Sequence, residues 1–204
     1  MIDVEVFSEA GIGKHNEDYV LHTVIAPDIS LIVVCDGMGG LSYGADASKI
    51  IAHSIGNYLS QDLCLHNPEQ SIIKALQCAN DELAKECVRL KSKMGASVAL
   101  TLFEGNACHY TWLGDVRIYR ANGGKTELLT KDHLAIEGNH SFLSRCINGK
   151  EFRHSPEVGE LAISSGDEVY IATDGYYLHN EMGAMIESVI TADDDATIVC
   201  IRLK

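Results

Sequence analysis

The chain has 204 residues with ordinary hydrophobic content, a formal net charge of −13 and a pI near 5.0. That length suits one domain spanning residues 1–204 and is enough to bury a substantial core. The acid excess excludes nucleic acid and an anionic membrane surface as partners, because both require clustered Lys and Arg. The excess is either an ordinary solvated surface or, in part, carboxylates gathered round divalent cations.

The first ten residues, MIDVEVFSEA, lack the basic and apolar regions of a secretory signal, and every apolar run is too short to span a bilayer. Apolar patterns at 2–7 and 18–25 read as strands. The run LIVVC at 31–35 reads as a strand buried on both faces or packed deep in a sandwich. Two helical stripes follow. Ala47, Ile50, Ile51, Ile55, Tyr58 and Leu59 form one, and Ile72, Leu76, Ala79, Leu83, Cys87 and Leu90 the other, with Asn67-Pro68 as N-cap and first-turn residues. From Gly95 the period falls to two, and strands are expected at 96–104, 107–112, 116–120 and 125–129, separated by Glu104-Gly105-Asn106 and Asn122-Gly123-Gly124 turns. An irregular stretch at 131–160 precedes a strand at 168–173, a short helix near 181–190 and a last strand at 197–203. Grouped helices and consecutive strands predict an α+β fold with largely antiparallel sheets. None of the seven cysteines forms a C-x-x-C pair. Several, including Cys35 and Cys200, sit in apolar runs where a reduced thiol behaves as a small hydrophobe. The chain is therefore expected in the cytoplasm.

The acids fall at strand ends. Asn16-Glu17-Asp18 opens one strand, Asp36-Gly37-Met38-Gly39-Gly40 closes the buried one, and Gly114-Asp115 lies between two others. Asp174-Gly175 ends the strand VYIAT, and Asp193-Asp194-Asp195 precedes the last. If those ends converge, five or six carboxylates share one edge, and they cannot all stay ionised without a compensating charge. Oxygen ligands without His or Cys select magnesium, manganese or calcium over zinc.

These blocks, with Gly44, Ala47-Ser48, Gly95-Ala96-Ser97, Val116-Arg117-Ile118-Tyr119, Leu129-Thr130-Lys131-Asp132-His133, Thr173 and Ala196-Thr197, stand in the order seen in PP2C (PPM) phosphatases, and the resemblance covers roughly residues 5 to 203. It implies an α-β-β-α fold, a sandwich of two antiparallel β-sheets flanked by helices. It also implies hydrolysis of phosphoserine and phosphothreonine monoesters in proteins. By motif position, Asp36 resembles the carboxylate bridging two Mn2+ or Mg2+ ions. Glu17 and the main-chain carbonyl of Gly37 resemble ligands of one ion, and Asp174 and Asp194 those of the other. Asp18 would hold a metal-bound water, and Asp115 with Asp174 would bind a third, weaker ion. Two cations about 4 Å apart would clamp the phosphoryl oxygens and activate a bridging water for in-line attack. The implied partners are phosphorylated proteins and a cognate Ser/Thr kinase or its targets.

The chain departs from the family at several positions. The Arg expected three residues before Asn16 is Gly13, followed by Lys14, which offers a point charge but no bidentate fork. Met38 stands where some members carry a His that protonates the leaving oxygen; His15 is a substitute by proximity alone. Val116 replaces a Ser and Asp195 an Asn, and neither change removes a ligand. The segment after His133 leaves little room for the helical flap of larger relatives. Arg145, in Ser144-Arg145-Cys146-Ile147-Asn148-Gly149, is expected to be structural. The alternative within the fold is a pseudophosphatase that binds partners without turnover; a carboxylate-metal nuclease is disfavoured by the missing basic stripe.

Overall fold

The run Leu31–Cys35 has no polar side to present to water, and the computed structural model, which describes residues 2–138, 140–182 and 193–204, buries it completely. The run lies in β3 (Ile29–Gly37), and alternate side chains enter two separate cores. Leu31, Val33 and Cys35 meet two long helices, α1 (Gly44–Asp62) and α2 (Pro68–Leu90), through Ile51, Ile55, Leu76 and Leu83. Ile32 and Val34 face the second sheet, where Val169, Ile171, Val199 and Ile201 complete the core. The helical stripes read from the sequence are thus core-facing. Asn67 caps α2 as its sequence predicts, its side chain accepting the Gln70 amide at 3.0 Å.

Two five-stranded antiparallel sheets form the sandwich. In one the order is β10 (Val158–Ala162), β5 (Ala107–Leu113), β4 (Ala96–Glu104), β3 and β2 (Asp18–Ala26). In the other it is β1 (Ile2–Glu9), β12 (Ala196–Leu203), β11 (Glu168–Ala172), β6 (Arg117–Asn122) and β7 (Lys125–Leu128). A third apolar cluster, with Tyr119, Tyr170, Tyr176 and Ile198, covers the outer face of this second sheet. There the chain forms a single turn, α3 (Asp174–Tyr177), too short to leave a periodic signal. The helix expected near 181–190 falls almost wholly outside the described residues.

The stretch 131–160 is less irregular than its sequence suggests. It contains a separate hairpin, β8 (Leu134–Glu137) and β9 (His140–Leu143), and the edge strand β10. Strands of four residues carry too few alternations to register as a period. This pair also leaves Leu134, Ile136 and Phe142 exposed, so neither strand shows an inside and an outside.

At the far end of β11 from the acidic motifs, Asp167 is fully buried. It accepts hydrogen bonds from Arg120 Nε at 3.2 Å, Arg120 Nη2 at 3.1 Å, and the Ser164 amide and hydroxyl at 2.8 and 3.0 Å, with Asn122 Nδ2 also donating. Burial alone would raise its carboxyl, but the donors from Asn122, Ser164 and Arg120 hold it below the usual range. Its stabilising contribution is therefore present at neutral pH and is lost as pH falls through that depressed value. Asp167→Ala strands a partly buried guanidinium and should lose about 3 kcal/mol or more, seen as a melting temperature lower by about 10 °C. Glu5→Ala, which breaks only an exposed pair with Arg202, should shift stability by less than about 1 kcal/mol; calorimetry on the two variants checks both.

Candidate metal centre

Antiparallel pairing brings every acidic strand end to one end of the sandwich. β2 begins at Asp18 where β3 ends, and the register sets Asp18 opposite Asp36 and Asp36 opposite Ser97. From the second sheet, β11 runs into Asp174 and β12 starts just after Asp194 and Asp195. Between them lies a cleft of about 160 Å³ lined by Lys14, Glu17, Asp36, Gly37, Met38, Gly39, Ser97, Asp115, Leu143, Asp174, Asp194 and Asp195. The structure thus brings together Lys14, Glu17, Asp36, Gly37, Asp115, Asp174 and Asp194, and sets Asp18 behind them, buried. His15 is exposed and does not line the cleft.

Each acid is placed by local geometry. Glu17 sits at the N-terminus of α1, where the Gly44 amide donates to its carboxylate, a favourable place for an anion. A side chain at Gly44 would come within 2.5 Å of Glu17 Oε1, and one at Gly37 within 2.6 Å of the Gly44 carbonyl carbon. Both positions therefore require glycine so that the acidic loop and the helix can meet. Asp115 is oriented by Ser97, whose hydroxyl donates to Oδ1 at 2.7 Å. Asp18 Oδ2 accepts from the Thr173 hydroxyl at 3.0 Å, and Thr173 Oγ1 in turn accepts from the Thr197 amide at 3.0 Å. Asp18 Oδ1 is buried without a hydrogen-bond partner.

The electrostatics are those of crowded like charges. Burial pushes the Asp18 carboxyl up to about 8, with Asp195 and Asp174 adding repulsion against the hydrogen bonds from Thr197 and Thr173. Burial, then repulsion from Asp18, Asp174, Asp115 and Asp194, drives Asp36 well above the carboxylate range. Asp174 is raised to about 6 by burial and by Asp115 and Asp194. Glu17 is raised by burial and by Asp195. Among the described residues, no three such side chains are yet drawn into a cage round an ion. The donor set, all oxygen, and the unpartnered Asp18 Oδ1 fit hard divalent cations such as manganese and magnesium.

Three residues matter more than their sequence signal suggests. Asp195, legible only as a replaced Asn, accepts the Gly11 amide at 2.8 Å and the Glu17 amide at 2.7 Å. It ties both ends of the loop carrying Lys14 to the start of β12. Thr173 links the two sheets through Asp18, and an isolated Thr beside a common Asp-Gly gives no hint of that. Leu143 reaches the cleft from a hairpin that the sequence does not disclose. Lys14 Nζ lies 3.5 Å from Asp194 Oδ1 with both side chains exposed. Arg145 donates to the carbonyls of His154 and Ser155 at 3.3 and 2.9 Å, the structural role expected for it.

Comparison with known proteins agrees with this geometry. The family model described as protein phosphatase 2C matches residues 8–194. The chain is 24% identical to protein phosphatase PhpP of Streptococcus pneumoniae over 94% of this chain and 85% of the relative. It is 25% identical to a probable protein phosphatase 2C 10 of Arabidopsis thaliana over 81% and 69%. Among solved structures, the serine/threonine phosphatase PstP/Ppp of Mycobacterium tuberculosis superposes with a TM-score of 0.83 at 20% identity, covering 100% of this chain and 99% of that one. PppA of Pseudomonas aeruginosa gives 0.80 at 22%, covering 98% and 97%. A PstP catalytic domain in complex with two manganese ions gives 0.81 at 20%, covering 100% and 99%. The structural likenesses speak for the fold, and the family match spans nearly the whole acidic constellation: the chain belongs to the protein phosphatase 2C family of metal-dependent protein serine/threonine phosphatases.

Proposed function

We propose that the chain hydrolyses phosphoserine and phosphothreonine monoesters of proteins in this cleft, in the service of a cognate Ser/Thr kinase or its targets. Two manganese or magnesium ions would be held by Glu17, Asp36, the Gly37 carbonyl, Asp174 and Asp194, and a third, weaker one by Asp115 and Asp174. The observation that carries this reading is the convergence of six acids from both sheets on one cleft whose only cation among the described residues is Lys14. Bound there, such ions supply Lewis-acid polarisation of the phosphoryl group and a nucleophile from water at neutral pH.

The chain's own residues supply placement. Asp36, between Asp18 and Ser97 in the sheet register, is the acid that two ions would share. Asp18, buried behind the cleft with Oδ1 free of protein partners, would hold a water bound to one of the ions by accepting its hydrogen bond. Lys14, exposed at the rim, binds a phosphoryl oxygen that would otherwise meet a wall of carboxylates. Met38 carries no proton to give, so the leaving oxygen is protonated by water. No observation among the described residues favours a scaffold without turnover.

Activity on a phosphothreonine peptide should require added manganese or magnesium and vanish in EDTA, and Asp36→Asn should abolish it while the protein stays folded. Full turnover in a rigorously metal-free preparation, or near-normal turnover by Asp36→Asn, overturns the assignment.

Stability should show the same charges. Asp18 and Asp174 have folded-state values raised above those of the unfolded chain. Their contribution is therefore complete below about pH 4 and lost as pH rises through about 6 and about 8. In EDTA, melting temperature should fall between pH 5.5 and 8.5, and manganese should restore it more at the upper pH than at the lower. Thermal scans at the two pH values decide this, and a metal-free protein equally stable at both contradicts it.

Lys14→Ala should raise KM for the phosphopeptide about fivefold, with Lys14→Arg recovering most of it. Unchanged kinetics in Lys14→Ala would leave the ions alone to hold the phosphate.

A further inference from the structure

A second cavity, about 670 Å³, opens beside the acidic cleft, between the β8–β9 hairpin and the loop 144–154. The two are contiguous. Leu143 lines both. Behind them, a Cβ on Gly95 would lie 2.6 Å from Met38 Sδ, on the cleft side, and 3.3 Å from Asn148 Cβ, on the cavity side. A chain passing over Leu143 would cover that ridge in roughly two or three extended residues at ~3.3 Å each.

The cavity differs in character from the cleft. Lys150 and Arg153 line it, and neither side chain makes a hydrogen bond or ion pair among the described residues. Arg145 is engaged by backbone carbonyls and lies 3.7 Å from Glu157, so its charge is already offset. Counting the carboxylate of Glu151, which also lines the cavity, against these two cations leaves a net single positive charge on the wall of a chain that carries −13 overall. Phe142, 48% exposed, and the partly buried Phe152, whose inner side packs against the first core, add an aromatic surface beside those cations. An uncompensated cation next to open aromatic surface suits one monovalent anion on an otherwise apolar segment.

We propose that this cavity binds the stretch of phosphoprotein next to the phosphorylated residue, receiving an Asp or Glu side chain at Lys150 and Arg153 and an apolar side chain against Phe142 and Phe152. The inference rests on the phosphatase reading and adds a substrate class to it, namely phosphoserine or phosphothreonine in acidic surroundings. A single carboxylate matches the net charge of the wall; a second phosphoryl group would overfill it.

The test uses the full chain with manganese, p-nitrophenyl phosphate, and phosphothreonine peptides whose flanking residues are Glu, Ala, Lys or a second phosphothreonine. Glu-flanked peptide should exceed Lys-flanked peptide in kcat/KM by about tenfold, and the preference should vanish in Lys150→Ala/Arg153→Ala and invert in Lys150→Glu/Arg153→Glu. Hydrolysis of p-nitrophenyl phosphate, which has no flanking residues, should stay the same in all three proteins. An unchanged peptide ranking in the variants overturns the proposal, as does a parallel fall with p-nitrophenyl phosphate. A second phosphothreonine that outperforms Glu by tenfold overturns the choice of a carboxylate. If wild-type protein hydrolyses nothing, the phosphatase reading fails on its own. Fluorescence anisotropy of the same labelled peptides then still reads the cavity, with weaker binding of the Glu-flanked peptide to Lys150→Glu/Arg153→Glu upholding it and equal binding sinking it.

Discussion

Asp18 and Asp36 face each other across a strand pair, with Asp115, Asp174 and Asp194 close enough to repel them. Like charges in a partly dry cleft are unfavourable unless they are protonated or paired with cations. Everything around them keeps them there regardless. The strands that carry them run into two apolar cores, so the acids cannot retreat without exposing Ile32, Val34, Val199 or Ile201. The destabilisation is local, and the sandwich bears it. A metal-binding protein is built this way when the ion supplies the last part of its stability.

Holding the acids apart and in place falls to a small set of polar contacts between the sheets. The Thr173 hydroxyl donates to Asp18, and Asp195 accepts the amides of Gly11 and Glu17. These bonds join the start of β12 and the end of β11, in one sheet, to the loop that leads into β2, in the other. An Asn at position 195 has one carbonyl oxygen to offer two amides, so the carboxylate is the better clip for this loop. The same clip holds the loop of Lys14, the only cation lining the cleft among the described residues, within reach of Asp194.

Beside the cleft the chain carries a hairpin of two four-residue strands that turns Leu134, Ile136 and Phe142 to solvent. Between this hairpin and the loop 144–154 lies the second cavity. That wall carries charge opposite to the rest of the protein. On the proposed reading chemistry and recognition are separated: acids at the strand ends would hold the ions that bind the phosphoryl group, and the hairpin with the adjoining loop would meet the peptide.

No helix among the described residues is long and apolar enough to cross a membrane, in keeping with the short apolar runs of the sequence. The sequence by itself determined the two helices, the doubly buried strand β3 and the placement of each acid at a strand end. Those features are local, since a helical stripe, a branched apolar run and an Asp beside Gly each state their conformation within a few residues. The order of the motifs identified the family for the same reason. Tertiary structure alone decided that Thr173 and Asp195 reach acids more than a hundred residues away, because hydrogen bonds between sheets leave no periodic trace. It alone decided that residues 134–143 pair as a hairpin and that Lys150 and Arg153 stand, among the described residues, unpaired on a cavity wall. Four-residue strands are too short to show a period, and whether a cation is paired depends on which distant carboxylate the fold brings to it.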